Sequence, residues 1–304
     1  GGESGSFDPT LGVSSVQEFG KVFISIKSTT GNFVPEIEKR RLVEDLSPFT
    51  VASITPVIVD PETLYLILDV SARFNSNLTT LGSDDLQGTI TNTLTNFNNN
   101  SLKTFNSAFR HSQVTKLIDD SDTSLTSNIT RVVLGKFFTP TLNESVGYTI
   151  SFNNVIFNPH AGHNTNEGGV IASTGFKVSG DTVNEMFLDE DGFGNIRRFY
   201  ILAGEKKYVD NTAGTVNYGN GILSLNPLTI NQVSDVDNTS STQIRITTIP
   251  DSVDIIPVRN QLLEIDLVNT AVNVAIDRLG VGDINTVNTA DLATSSFTKT
   301  VSGY

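Results

Sequence analysis

Apolar and polar positions alternate in Gly20-Lys-Val-Phe-Ile-Ser-Ile-Lys27, where Val22, Ile24 and Ile26 fall on one side and Lys21, Phe23, Ser25 and Lys27 on the other. That is the period of a half-buried strand. The period then lengthens: Glu36 to Leu46 reads as a helix, with Pro35 near its first turn and Leu42, Val43 and Leu46 as its apolar side. Residues 51–59 and 64–74 return to strand, joined by a turn at Asp60-Pro61-Glu62. Leu86, Ile90, Leu94 and Phe97 recur at helical spacing behind Ser83, a capping residue, and Asp84 and Asp85 sit where the helix dipole favours negative charge. The Asn-rich run 96–101 ends that helix. Ser112 opens a shorter helix carrying Val114, Leu117 and Ile118, and residues 129–138 read as a further strand. Over residues 20–142 the order β-α-β-β-α-(α)-β predicts an α+β domain, a split-βαβ (ferredoxin-like) sheet with helices on one face.

From Tyr148 the helical period disappears. Residues 149–157, 174–178, 199–202 and 242–249 read as strands of an antiparallel all-β domain over 143–250, and Asn220-Gly221 as a type I′ hairpin turn between two alternating runs. In residues 251–304, Leu263, Ile265 and Leu267 alternate with acids, and Val272, Val274 and Ile276 with Asn273 and Asp277. Such a pair closes a hairpin or docks its edges on something else. Beyond Leu279 the chain is a polar tail with few apolar anchors, and poor order is expected there without a partner. Residues 1–19 read as a linker, and the opening Gly-Gly-Glu, with no start methionine, as part of a longer protein.

Composition narrows the function classes. A chain of 304 residues can hold two or three cores, and its 38% hydrophobic content, with abundant Thr, Ser and Asn, points to an assembly or surface protein. The net charge of −13 repels phosphate, so nucleic acid and anionic lipid are unfavourable partners. The absence of cysteine excludes disulfides, thiolate metal sites and cysteine nucleophiles. No apolar run reaches the roughly 18 to 20 residues needed to span a bilayer, so membrane insertion is not expected.

Candidate chemistry is sparse. His160-Ala-Gly-His163, with Asn164 and Glu167, carries zinc-type donors in one loop, but without the helical context of zinc helices a solvated loop is the preferred reading. Asp189-Glu-Asp-Gly-Phe-Gly-Asn195 offers oxygen ligands for calcium but lacks a glutamate at the twelfth position, which favours a tight acidic turn between Phe187 and Phe199. The three histidines, His111, His160 and His163, lie in no nucleophile context, and the pairs Asp84-Asp85 and Asp119-Asp120 fall at helix ends, where acids cap or solvate. Neither catalytic residue nor metal site nor cofactor nor small-molecule substrate is therefore assigned.

Gly1-Gly2-Glu3, the strand Gly20 to Lys27 with its following helix, the string Phe187-Leu-Asp-Glu-Asp-Gly-Phe-Gly-Asn-Ile-Arg-Arg-Phe-Tyr200 and Ala213-Gly-Thr-Val-Asn-Tyr218 with its Asn-Gly turn form a recognisable set. It resembles the C-terminal part of the baseplate wedge subunit family of T-even-type contractile-tailed bacteriophages, relatives of the baseplate J proteins. The resemblance implies a non-enzymatic structural protein of the virion tail baseplate, assembled in the bacterial host cytoplasm. It further implies partnership with copies of itself and with other wedge proteins, in a ring that rearranges when the sheath contracts. Leu263, Ile265, Leu267, Val272, Val274 and Ile276 are the expected contact residues. A receptor- or carbohydrate-binding tail module is the alternative, and a hydrolase ranks third.

Overall fold

The computed structural model describes residues 20–28, 34–50, 54–163, 169–235, 241–258 and 261–278. The first strand, β1 (Lys21–Ser25), runs parallel to β2 (Thr55–Val59) in register Lys21↔Thr55 through Ser25↔Val59, and α1 (Glu36–Leu46) lies between them in sequence. The helix keeps its sequence-predicted bounds. Glu36 and Glu38 occupy its first turn, and Lys39 bonds Glu36 at 2.7 Å and Asp60 at 2.6 Å, tying the helix to the end of β2. No residue of α1 is fully buried, so this βαβ unit is thinly cored.

Here the ferredoxin-like expectation needs correction. β1 and β2 form a two-stranded sheet of their own, and β3 (Glu62–Phe74) opens a different one. The edge of β3 is taken instead by two late strands. β13 (Gln261–Ile265) pairs with its beginning from Gln261↔Glu62 to Ile265↔Leu66, and β14 (Ala271–Ile276) with its end from Ala271↔Asp69 to Ile276↔Phe74, both parallel. Of the two alternatives for these segments, the hairpin does not form, and both dock as edge strands on β3. The sheet runs β13-β3-β4-β12-β6, with β4 (Leu125–Phe138), β12 (Ile244–Thr248) and β6 (Ile171–Ser173).

The core side of β3 is unbroken: Leu64, Leu66, Leu68, Val70, Ala72 and Phe74 are all buried. α2 (Ser83–Phe97) buries Leu86, Ile90, Leu94 and Phe97, and α3 (His111–Asp119) buries Val114 and Ile118. The start of α2 is held by Asp85, whose carboxylate accepts from the Gly82 N–H at 3.1 Å. α3 begins one residue before the predicted Ser112 cap, after Arg110, without a side-chain cap. The Asn-rich segment forms a π-helical turn, Asn98–Leu102. The buried Asn98 amide donates to the Ile265 carbonyl at 3.2 Å and accepts from the Ile265 N–H at 2.8 Å. In an extended strand both backbone groups of one residue point to the same side, so Asn98 occupies the outer edge of β13 where another strand would bond.

The second half of the chain builds a closed ring. β7 (Phe176–Val178), β8 (Asp181–Glu190), β9 (Asn195–Leu202) and β10 (Glu205–Asn217) are antiparallel neighbours, and β11 (Ile222–Val233) pairs with both β7 and β10; β5 (Ser145–Ser151) also pairs with β11. The antiparallel expectation holds, with changes in detail. The 242–249 strand serves the other sheet, as β12 between β4 and β6. The Asn220-Gly221 hairpin forms, but Asn217↔Ile222 is its last pair, so four residues make the loop and only Gly221 has positive φ (67°). The two-residue positive-φ turn is instead Ala203-Gly204 (φ 53° and 82°), between the paired Leu202 and Glu205.

Contacts divide the described residues into two units. One holds those within 1–67, 98–109 and 132–266, and therefore the βαβ unit and the ring; the other holds those within 68–97, 110–131 and 267–304, with α2, α3 and β14.

Candidate functional site

Three consecutive carboxylates at the β8–β9 turn meet three different fates. Side chains alternate along a strand, so Asp189 and Glu190 point to opposite faces, while Asp191 falls in the turn itself. Asp189, 2% exposed, accepts from Arg197 Nε at 3.0 Å, Lys206 Nζ at 2.9 Å and the Tyr208 hydroxyl at 2.8 Å. Arg197 is its cross-strand partner, lies 4.2 Å over the Tyr208 ring and donates to the Glu190 carbonyl at 2.8 Å. Phe199 completes the cluster, with Lys206 Nζ 4.4 Å over its ring and Phe187 stacked at 5.7 Å.

On the other face, Glu190 accepts from the Val170 N–H (3.2 Å), the Gly192 N–H (2.5 Å) and the Tyr218 hydroxyl (2.8 Å). Asp191 accepts from the Phe193 N–H, the Asn195 N–H and the Asn195 amide at 2.7–3.0 Å, which closes the loop as an Asx-type turn between Gly192 and Gly194, both at positive φ. The tight acidic turn read from the sequence is the arrangement seen.

The electrostatics follow from these contacts. Burial, then the hydrogen bond to Asp189 and its charge, push the Tyr208 hydroxyl up to about 12, with Arg197 pulling the other way. Burial, then the bond to Glu190 and its charge, hold Tyr218 far above the ordinary phenol range. Burial opposes ionisation of Asp191, but the bonds from Asn195 and the Phe193 N–H outweigh it, and its carboxyl stays below the usual range. Both phenols therefore keep their protons near neutral pH, and each carboxylate is engaged by several donors. Chemically the cluster cross-links strands.

The histidine loop departs from the expected solvated state. His160 is exposed, whereas the His163 side chain is only 5% exposed and packs beside the β8–β9 turn. Asn164 and Glu167 lie outside the described residues. Among the described residues no group of three or more His, Cys, Asp or Glu side chains is clustered to hold an ion. His111 is remote in sequence on α3, its Nε2 2.7 Å from the Thr130 carbonyl.

Of the six expected contact residues, Leu263, Ile265 and Val272 are buried in the chain's own packing. Leu267 and Val274 are half-buried and Ile276 is exposed. The polar cluster itself, Asp189, Arg197, Lys206, Tyr208, Glu190 and Tyr218, was missed by pattern reading. One signal was available: Asp189 and Arg197 are equidistant from Phe193, the centre of the turn, as cross-strand partners of a hairpin must be.

A closed ring of strands, cross-linked on both faces by buried carboxylates with several donors each, defines a β-rich module. Residues 62–136 match the family model described as baseplate structural protein gp6, C-terminal domain III, and residues 13–59 the one described as gp6, C-terminal domain I. The resemblance to the C-terminal part of a baseplate wedge subunit is thereby borne out over these two segments. The baseplate wedge protein gp6 of Enterobacteria phage T4 is 24% identical over 119 residues, which cover 37% of this chain and 18% of that protein. The strand at Lys21 lies inside a matched segment; the strings at 187–200 and 213–218 lie outside both. Among the described residues no helix is long and apolar enough to cross a membrane.

Proposed function

We propose that this chain is a structural subunit of a phage tail baseplate that acts by binding copies of itself and other wedge proteins, without catalysis, and that rearranges when the sheath contracts. Its place is the virion tail, after assembly in the host cytoplasm. The observation that carries this reading is the match of residues 13–59 and 62–136 to two gp6 C-terminal domains. The surface is in keeping with it: the thinly cored βαβ unit leaves Ile37 and Phe49 at 76% and 86% exposure, and β14 leaves Ile276 open. Within the 263–276 segment, β14 is the part available to a partner, since Asn98 covers the outer edge of β13 at Ile265.

Sedimentation equilibrium over a wide concentration range tests the self-association. Reversible dimers or larger species are expected; a strict monomer at every concentration removes self-contact from this chain. Ile276→Asp is expected to weaken assembly while leaving the circular dichroism spectrum unchanged, and unaltered assembly removes β14 from the interface. The glycan-binding alternative has one observation in its favour. Phe193, 64% exposed, lines an open cavity of about 500 Å³ with Asn158 and Asn217, and a glycan array is the direct check.

A further inference from the structure

We propose that His163 and Glu190 form a binding site for a divalent transition-metal ion such as Zn²⁺, at the seam between the histidine loop and the β8–β9 turn. The starting point is a buried polar atom without a partner among the described residues. His163 Nδ1 lies 2.7 Å from the His160 carbonyl, which can only accept, so the ring proton is on Nδ1. Nε2 is then the ring atom left to bind an ion. It is buried with no hydrogen-bond partner among the described residues, and it stands 3.7 Å from Oε1 of Glu190, whose side chain is fully buried. A buried imidazole nitrogen opposite a buried carboxylate oxygen gives two ligand atoms that one cation can bridge.

The geometry suits one ion. Zinc sits about 2.0–2.1 Å from imidazole nitrogen and about 2.0–2.2 Å from carboxylate oxygen. The two reaches together exceed the 3.7 Å gap, so a single ion touches both atoms with a bent angle at the metal. The surroundings supply what metal ligands ordinarily have behind them. A ligating histidine usually donates its other ring N–H to a backbone carbonyl, as His163 does, and a ligating carboxylate is held by further donors, as Glu190 is by Gly192, Val170 and Tyr218. The mixed nitrogen and oxygen donor set favours zinc, cobalt or nickel over calcium or magnesium. Solvent carried in with the ion completes its coordination, and the exposed His160 ring stacks on His163 at 5.8 Å.

The backbone supports the same seam. The Gly162 N–H donates to the Gly192 carbonyl at 3.0 Å, and a Cβ at Gly192 would stand 2.6 Å from His163 N. A bound ion therefore pins the 158–163 loop to the ring. This site stands independently of the baseplate reading.

The chain is stripped with a chelator, titrated with CoCl₂, and followed through the ring resonances of its three histidines, which are few enough to assign. His163 should shift and broaden at substoichiometric cobalt, ZnCl₂ should reverse the effect by competition, and ZnCl₂ alone should raise Tm by several degrees. His163→Gln should abolish the Tm rise. Absence of any histidine response, a response confined to His160 or His111, or an equal Tm rise in His163→Gln each overturns the proposal. The cobalt titration uses the unaltered chain, so it decides the matter even where a variant folds poorly.

Discussion

Asp189 shows most clearly how single side chains hold this protein. Its buried carboxylate is shared by Arg197, Lys206 and Tyr208, and removing its charge breaks the buried ion pair with Arg197. Breaking a buried pair by changing one member costs about 3–5 kcal/mol, so Asp189→Asn is expected to lower urea-unfolding stability by about 3 kcal/mol or more. A loss under about 1 kcal/mol, the range of exposed pairs, contradicts that assignment. Asn98 works through neutral groups. Asn98→Ala leaves the Ile265 N–H and carbonyl unpaired, at a cost of about 1–3 kcal/mol, and amide exchange at Ile265 should quicken out of proportion to that at its neighbours in β13.

At the scale of elements, the β8–β9 turn depends on Gly192. Its φ of +76° disfavours any side chain, and an added Cβ would meet the His163 backbone. Gly192→Ala should therefore destabilise the chain by about 1–3 kcal/mol and loosen the 158–163 loop in hydrogen exchange. The two phenols make the ring sensitive to alkali. Their folded values are raised, so their contribution is complete below the ordinary phenol value near 10 and declines as pH rises through the folded values, about 12 for Tyr208. Stability should fall from about pH 10 upward, and the Tyr208→Phe/Tyr218→Phe double variant should show a shallower fall. An unchanged slope in that variant would assign the alkaline loss to other groups.

For the whole molecule, charge is the governing quantity. At a net −13, copies of the chain repel one another, and salt shortens the reach of that repulsion to about 10 Å at 0.1 M. Self-association measured by sedimentation should therefore strengthen between low and moderate salt. Weakening over that range would mean that complementary charge pairs, not apolar surface, hold the copies together.

What was legible in the sequence was local. The bounds of α1, the buried stripe of α2, the alternation of β3 and the acidic turn at Asp191 follow from period, capping and turn chemistry, which act between residues a few positions apart. Pairing partners were not legible, because β13 and β14 reach β3 from about 200 residues away and no local period records that choice. That long-range pairing took the edge of β3 and left β1 and β2 in a sheet of their own, undoing the ferredoxin-like arrangement. The same physics separates the two histidines. Sequence spacing placed His160 and His163 in one loop, but only the packing of that loop on the β8–β9 turn buried one ring, exposed the other and set the buried one opposite Glu190. Apolar period, charge and turn residues are properties of the chain itself; burial and long-range partners exist only once distant segments share a surface.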